Sequence, residues 1–171
     1  MKIIAKLSFL LILLISLGAC GSRDLGENVE ATEAKSVKEK TENSTSWTVN
    51  TENSAIEWVG AKPTGEHNGT VHIKSGEFLM QEGKLSGGSF KIDMTTIKNL
   101  DIEDPEKNQK IVRHLESDDF FNTAEFPEAS FEISGIEPFK GDVADDEWRP
   151  THTITGNLTI KDISKSITFK A

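Results

Sequence analysis

Ser89-Phe90-Lys91-Ile92-Asp93-Met94 sets Phe90, Ile92 and Met94 at alternate positions, with Ser89, Lys91 and Asp93 between them. Successive side chains of an extended chain point to opposite faces, so this stretch reads as a strand with one apolar and one polar face. The pattern recurs downstream. Ala129, Phe131 and Ile133 alternate with Ser130, Glu132 and Ser134. Ile154, Leu158 and Ile160 alternate with Thr153, Thr155, Asn157 and Thr159, and Ile167 and Phe169 close the series. Upstream, Trp47 and Val49, Ile56 and Trp58, and Val71 and Ile73 keep the same period, whereas Phe78 and Met80 take the opposite parity. A bulge or bend is expected between them, with Ser75-Gly76 its natural place, and Gln81-Glu82-Gly83-Lys84 carries a turn. One greasy and one wet face per strand marks an antiparallel sheet. Its repetition along the chain predicts an all-β sandwich or barrel.

One segment breaks the period. Asp104-Pro105 has the form of an N-cap followed by proline at the first helical position. Ile111 and Leu115 are then spaced i, i+4, and Lys110, Arg113 and His114 load the end where the helix dipole favours positive charge. A short helix is expected from Pro105 to about His114, inside a connection running from Met94 to Glu128. Connections of that length usually cover something, and a barrel mouth is the obvious candidate.

The N-terminus decides the compartment. Lys2 and Lys6 precede an apolar run from Leu7 to Leu17, interrupted only by Ser8 and Ser16, and Leu17-Gly18-Ala19-Cys20 follows. The run is too short for a membrane span, which needs roughly 20 residues, and its order is that of a signal peptide. Small residues directly before a cysteine form the lipoprotein pattern, in which Cys20 becomes the lipidated first residue. Cys20 is the sole cysteine and closes no intramolecular disulfide. The expected organisation is therefore a signal peptide over 1–19, a lipidated cysteine and flexible polar tether over 20–45, and one β domain over 46–171. The expected location is the bacterial cell envelope, with the chain exported and lipid-anchored to a membrane. Residues 1–19 carry two lysines and no acid, so their removal takes the formal charge from −9 to −11. Such a balance argues against nucleic acid and against docking by charge on anionic lipid.

Catalytic constellations do not emerge. Gly87-Gly88-Ser89-Phe90-Lys91 lacks the second glycine of a nucleophile elbow. His67 and His72, five apart on one strand, point to opposite faces unless a bulge intervenes, and His114 is explained by its place at a helix end. Asp101-Glu103-Asp104 and Asp145-Asp146-Glu147 do not match a calcium loop, and Asp118-Asp119 are adjacent acids without a defined separation. No catalytic residue, metal or cofactor is expected. The large side chains of the apolar face remain, and periodicity alone does not separate a filled core from a ligand-holding one.

Two segments carry a family resemblance. His114-Leu115-Glu116-Ser117-Asp118-Asp119-Phe120-Phe121, continuing through Glu125-Phe126-Pro127-Glu128-Ala129-Ser130-Phe131, resembles the signature of the YceI-like family. Gly156-Asn157-Leu158-Thr159-Ile160, a turn, and Ile167-Thr168-Phe169 resemble its hairpin, and Trp47-Thr48-Val49 with Ser54-Ala55-Ile56-Glu57-Trp58 resemble its opening strands. The resemblance implies an antiparallel lipocalin-like barrel of about eight strands with an isoprenoid chain in a hydrophobic tunnel. It carries over no catalytic residue. The ligand lining it implies maps onto the inward positions Trp58, Phe78, Phe90, Ile92, Met94, Phe131, Ile133 and Leu158. Family members run about one hairpin beyond the Ile-Thr-Phe strand, so a chain ending at Ala171 is expected to be C-terminally incomplete, with barrel closure left undecided. The expected role is that of a lipid-anchored carrier of a polyisoprenoid or similar amphiphile. The alternative is a non-catalytic structural or stress-related surface lipoprotein with a filled barrel.

Overall fold

A computed structural model describes residues 30–37, 41, 43–62, 65–141 and 149–171. Cys20 and the expected signal peptide lie outside the described residues. Eight strands form one antiparallel sheet: β1 (Thr32–Glu33), β2 (Thr45–Thr48), β3 (Ala55–Lys62), β4 (Gly65–Gln81), β5 (Lys84–Asn99), β6 (Glu128–Pro138), β7 (His152–Ile160) and β8 (Ile163–Lys170), with helix α1 (Pro105–Glu116) between β5 and β6. The strand order is β1-β8-β7-β6-β5-β4-β2, and β3 also pairs with β4. No pairing joins β1 or β8 to β2 or β3 among the described residues, so this lipocalin-like, barrel-type sheet is open. No helix among the described residues is long and apolar enough to cross a membrane.

The local chemistry explains the joints. The β4–β5 hairpin turns on Glu82 (φ 51°) and Gly83 (φ 75°), and the β7–β8 hairpin on Lys161 (φ 50°) and Asp162 (φ 59°). Two consecutive left-handed residues give the two-residue turn whose twist matches the flanking strands. The parity change in β4 falls at Lys74, where the register with β5 slips between Ile73 and Ser75, one residue before the expected Ser75-Gly76. The helix begins where expected and runs to Glu116, a little past His114. Its Asp104 cap accepts the Glu106 and Lys107 amides at 3.0 and 3.1 Å, satisfying donors that a first turn leaves orphaned.

The structure shortens the expected tether. Thr32–Glu33 pairs with Lys165–Ser166 at the β8 edge, and Asn157 clamps the chain just beyond: Lys35 N–H donates to Asn157 Oδ1 at 2.9 Å, and Asn157 Nδ2 donates to the Lys35 carbonyl at 2.7 Å. An asparagine side chain here imitates a backbone unit and holds a largely polar segment that buries none of its own residues. Ser166 beneath it is 1% exposed.

Candidate functional site

The apolar faces of the strands meet on one side of the sheet, and the register divides that side into two regions. Ile92 stands opposite Ala129, and two residues along the same strands Phe90 stands opposite Phe131. From Phe90 the rings continue sideways: Phe78–Phe90 at 5.1 Å between centroids, Phe90–Phe131 at 6.3 Å and Phe131–Phe169 at 5.7 Å. This aromatic row runs across its end of the sheet from the exposed Phe78 to Phe169, and Ile133, 3% exposed, packs beside it.

At the other end the same face is hollow. A cavity of about 330 Å³ is walled by Ile56, Trp58, Val59 and Gly60 of β3, Val71 of β4, Ile92, Met94 and Ile97 of β5, Ala129 of β6 and Leu158 and Ile160 of β7. Leu115 of α1, with Phe120 and Phe121 after it, closes the wall over the sheet. The volume lies at the small end of the range for ligand pockets.

Of the eight residues expected to line a ligand site, Trp58, Ile92, Met94 and Leu158 line this cavity. Phe78, Phe90 and Phe131 stand in the aromatic row, and Ile133 in the packing beside it. All share one face, but alternation reports the face and not the position along it. The cavity residues absent from that expectation have physical signals of their own. Between the pairs Gly69–Asn99, Thr70–Lys98 and His72–Asp93, β5 carries extra residues opposite Val71. Asp93 Oδ1 staples this excursion, accepting the Thr95 amide at 3.1 Å and its hydroxyl at 2.6 Å, and the Thr96 hydroxyl donates to the Asp93 carbonyl at 2.7 Å. The excursion turns both Met94 and Ile97 inward, with each about 7% exposed or less, although they are an odd number apart. Bulges re-aim side chains in this way.

The lid over the cavity is held from two sides. Lys161, in the β7–β8 turn, donates to the Asp118 and Phe120 carbonyls at 3.3 and 3.0 Å. Phe120 lies edge-on to Phe121 at 4.6 Å and near the His114 ring at 6.0 Å. At the start of the helix, Asn108 Nδ2 donates to the carbonyls of Asn99 and Ile102 at 3.2 and 2.9 Å. The buried Asn99 in turn donates to Asn68 O at 3.1 Å and to Asp101 Oδ1 at 2.7 Å. Asp101 also accepts the Asn68 amide and the His67 ring N–H, both at 2.8 Å. Burial alone raises the Asp101 carboxyl, but the hydrogen bonds from His67, the Asn68 amide and Asn99 outweigh it and hold its pKa at about 2.

That value fixes a sign. A carboxyl lowered from 3.8 in the folded state stabilises the fold fully above the ordinary value, and the contribution is lost as pH falls through about 2. Urea unfolding midpoints are expected to drop across that window, and Asp101→Asn, which keeps an acceptor for Asn68 but no titrating group, is expected to flatten the drop. An equal pH dependence in both proteins would contradict this role for Asp101. Among the described residues, no three His, Cys, Asp or Glu side chains gather into a metal-holding cluster.

An open antiparallel sheet of barrel type, with an apolar cavity on one face beneath Leu115, Phe120 and Phe121, has lipocalin-like architecture. The model of the YceI-like domain matches residues 47–171, and the chain belongs to the YceI-like family. It is 34% identical over 96 residues to a UPF0312 protein of Shewanella denitrificans, covering 56% of this chain and 44% of that one. It is 33% identical over 96 residues to a UPF0312 protein of Pseudomonas aeruginosa, covering 56% and 43%, and 30% identical over 103 residues to the protein YceI of Salmonella arizonae, covering 60% and 47%. The matched stretches span a little under half the length of these curated relatives.

Proposed function

We propose that this chain is a lipid-anchored envelope protein that holds a polyisoprenoid or similar amphiphile in its apolar cavity, and that it catalyses no reaction. The observation that carries the reading is the void of about 330 Å³ with an almost wholly hydrocarbon wall, set beneath Leu115, Phe120 and Phe121. An apolar chain seated there makes dispersion contacts along the lining without asking for a polar partner. Membership of the YceI-like family supports an apolar ligand of this class. Anchoring rests on Cys20 and the signal pattern before it: each buried CH₂ of an acyl chain contributes about 0.8 kcal/mol, so two or three chains hold the protein to a membrane essentially permanently.

The test is chemical. Protein purified from cells, with Cys20→Ser to free it from the membrane, is extracted with organic solvent and the extract analysed by mass spectrometry. A reproducible prenyl-chain lipid in stoichiometric amount is the expected result, and repeated recovery of empty protein that binds no added polyprenol or quinone would defeat the reading. Labelling with radioactive palmitate, lost on Cys20→Ser, tests the anchor separately.

A further inference from the structure

The chain that roofs the cavity leaves the sheet from β5 at Asn99 and rejoins it in β6 at Glu128. These strands are neighbours, so both ends of the roof are fixed on one side. That side is pinned from within. The buried Asn99 accepts the Ile102 amide at 3.0 Å and the Asn108 side chain bonds its carbonyl, while the Pro127 carbonyl accepts the Met94 amide at 2.9 Å. The roof also holds together as one body. Past the end of α1 the Phe121, Asn122 and Thr123 amides donate back to the Leu115, Ser117 and Glu116 carbonyls at 3.0, 2.7 and 3.0 Å. Yet α1 buries none of its residues, and an element with so little buried surface opens at low cost. The far side is tied in a different way. There the Lys161 ammonium reaches out of the β7–β8 turn to the Asp118 and Phe120 carbonyls, through surface hydrogen bonds on a flexible stem that water can replace. Leu115 and Phe121 pack on the apolar cluster of the sheet through contacts that have no direction. Phe120, whose carbonyl Lys161 holds, and Ile163, two residues beyond Lys161, are 45% and 65% exposed, so this edge of the roof carries hydrocarbon on its outside as well.

We infer that residues 102–126 are a flap, hinged where Asn99 and Asn108 tie it to β5 and latched at its far edge by Lys161, and that release of this latch opens the cavity to its ligand. The inference rests on the carrier reading proposed above and adds to it the route by which the site fills. Opening at the Lys161 edge exchanges surface hydrogen bonds for water and parts apolar contacts that an entering chain remakes. Opening at the hinge would instead strip partners from the buried Asn99, which is the costlier break.

Lys161→Met tests it, because methionine keeps the stem and meets the same backbone demand at φ 50° while losing the donor. In a Cys20→Ser, Ala129→Cys protein the thiol is the only one in the chain and sits in the cavity wall. Its rate of labelling by methyl methanethiosulfonate reads how often the cavity opens with no ligand present. Lys161→Met is expected to raise that rate about three- to tenfold, the shift given by loss of one net hydrogen bond. The rate is expected to stay flat in low urea, since a local opening exposes little surface. With N-phenyl-1-naphthylamine as an apolar fluorescent probe, stopped-flow association and dissociation are both expected to quicken by a similar factor. Its Kd is expected to hold within about twofold, because the latch is the same in the empty and the filled protein. Labelling that climbs with urea from the outset would report global unfolding and overturn the flap. Unchanged probe kinetics would overturn the route and direct the ligand to the open edge between β3 and β8. Failure of either protein to bind the probe would count against the carrier reading, while the labelling rates still decide the flap.

Discussion

Replacing Ala129 with phenylalanine is expected to lower the apolar lipid recovered with the protein by at least about tenfold, while moving the unfolding free energy by less than about 1 kcal/mol. The two halves of that expectation separate a hollow site from a filled one. Ala129 is 3% exposed, faces Ile92 across the β5–β6 ladder and contributes its methyl group to the cavity wall. In a tightly packed core, adding a ring at such a position forces neighbours off their rotamers and costs about 1–3 kcal/mol. Here the ring projects into about 330 Å³ of space, where it buries apolar surface instead of displacing side chains, and where it stands in the path of a ligand chain. Mass spectrometry of solvent extracts and urea denaturation of delipidated protein read the two quantities independently. A variant that is strongly destabilised, with its lipid content unchanged, would instead favour the structural lipoprotein with a filled interior.

The sheet was legible because period-two patterning is imposed by the backbone itself. Phe90, Ile92 and Met94 face inward as their spacing requires, and Asp104-Pro105 opens the helix as cap chemistry requires. The division of the inward face was not legible. Phe90 and Ile92 differ by two residues and have identical parity, yet one belongs to an aromatic row and the other to a cavity. Which of them meets a void depends on what lies across the strands, and that is set by register and by the slip at Lys74. Ile97 escaped for a related reason: the Asp93–Thr95–Thr96 hydrogen bonds form an excursion that reverses the parity of everything after it, and such a feature in an Asp-Met-Thr-Thr run has no periodic trace. The strand at Thr32–Glu33 left even less, because it is held by Asn157 and the β8 edge and not by any apolar residue of its own.

Gly69→Ala is expected to destabilise the fold by about 3 kcal/mol or more, whereas Gly87→Ala, in the same sheet, is expected to be neutral or stabilising by up to about 1 kcal/mol. Both glycines are buried and neither has a left-handed φ, so the contrast isolates space from backbone conformation. At Gly87 an added methyl group meets nothing nearer than Leu79 Cδ1 at 3.4 Å, an ordinary contact, and the substitution then acts mainly by stiffening the unfolded chain. At Gly69 the nearest atom is a backbone carbonyl oxygen at 1.8 Å, with the Trp58 ring behind it at 2.5 Å. The carbonyl belongs to Lys98, in the β4–β5 ladder beside the Gly69–Asn99 pair, so it cannot retreat without parting those strands. The indole cannot retreat without entering the cavity. Either movement breaks the floor on which Asn68, Asn99 and Asp101 tie the helix to the sheet, so the substitution is expected to lower the urea midpoint and to empty the cavity together. Equal midpoints for Gly69→Ala and Gly87→Ala would mean that the sheet yields easily at this point, and the fixed seat of Trp58 would go with it.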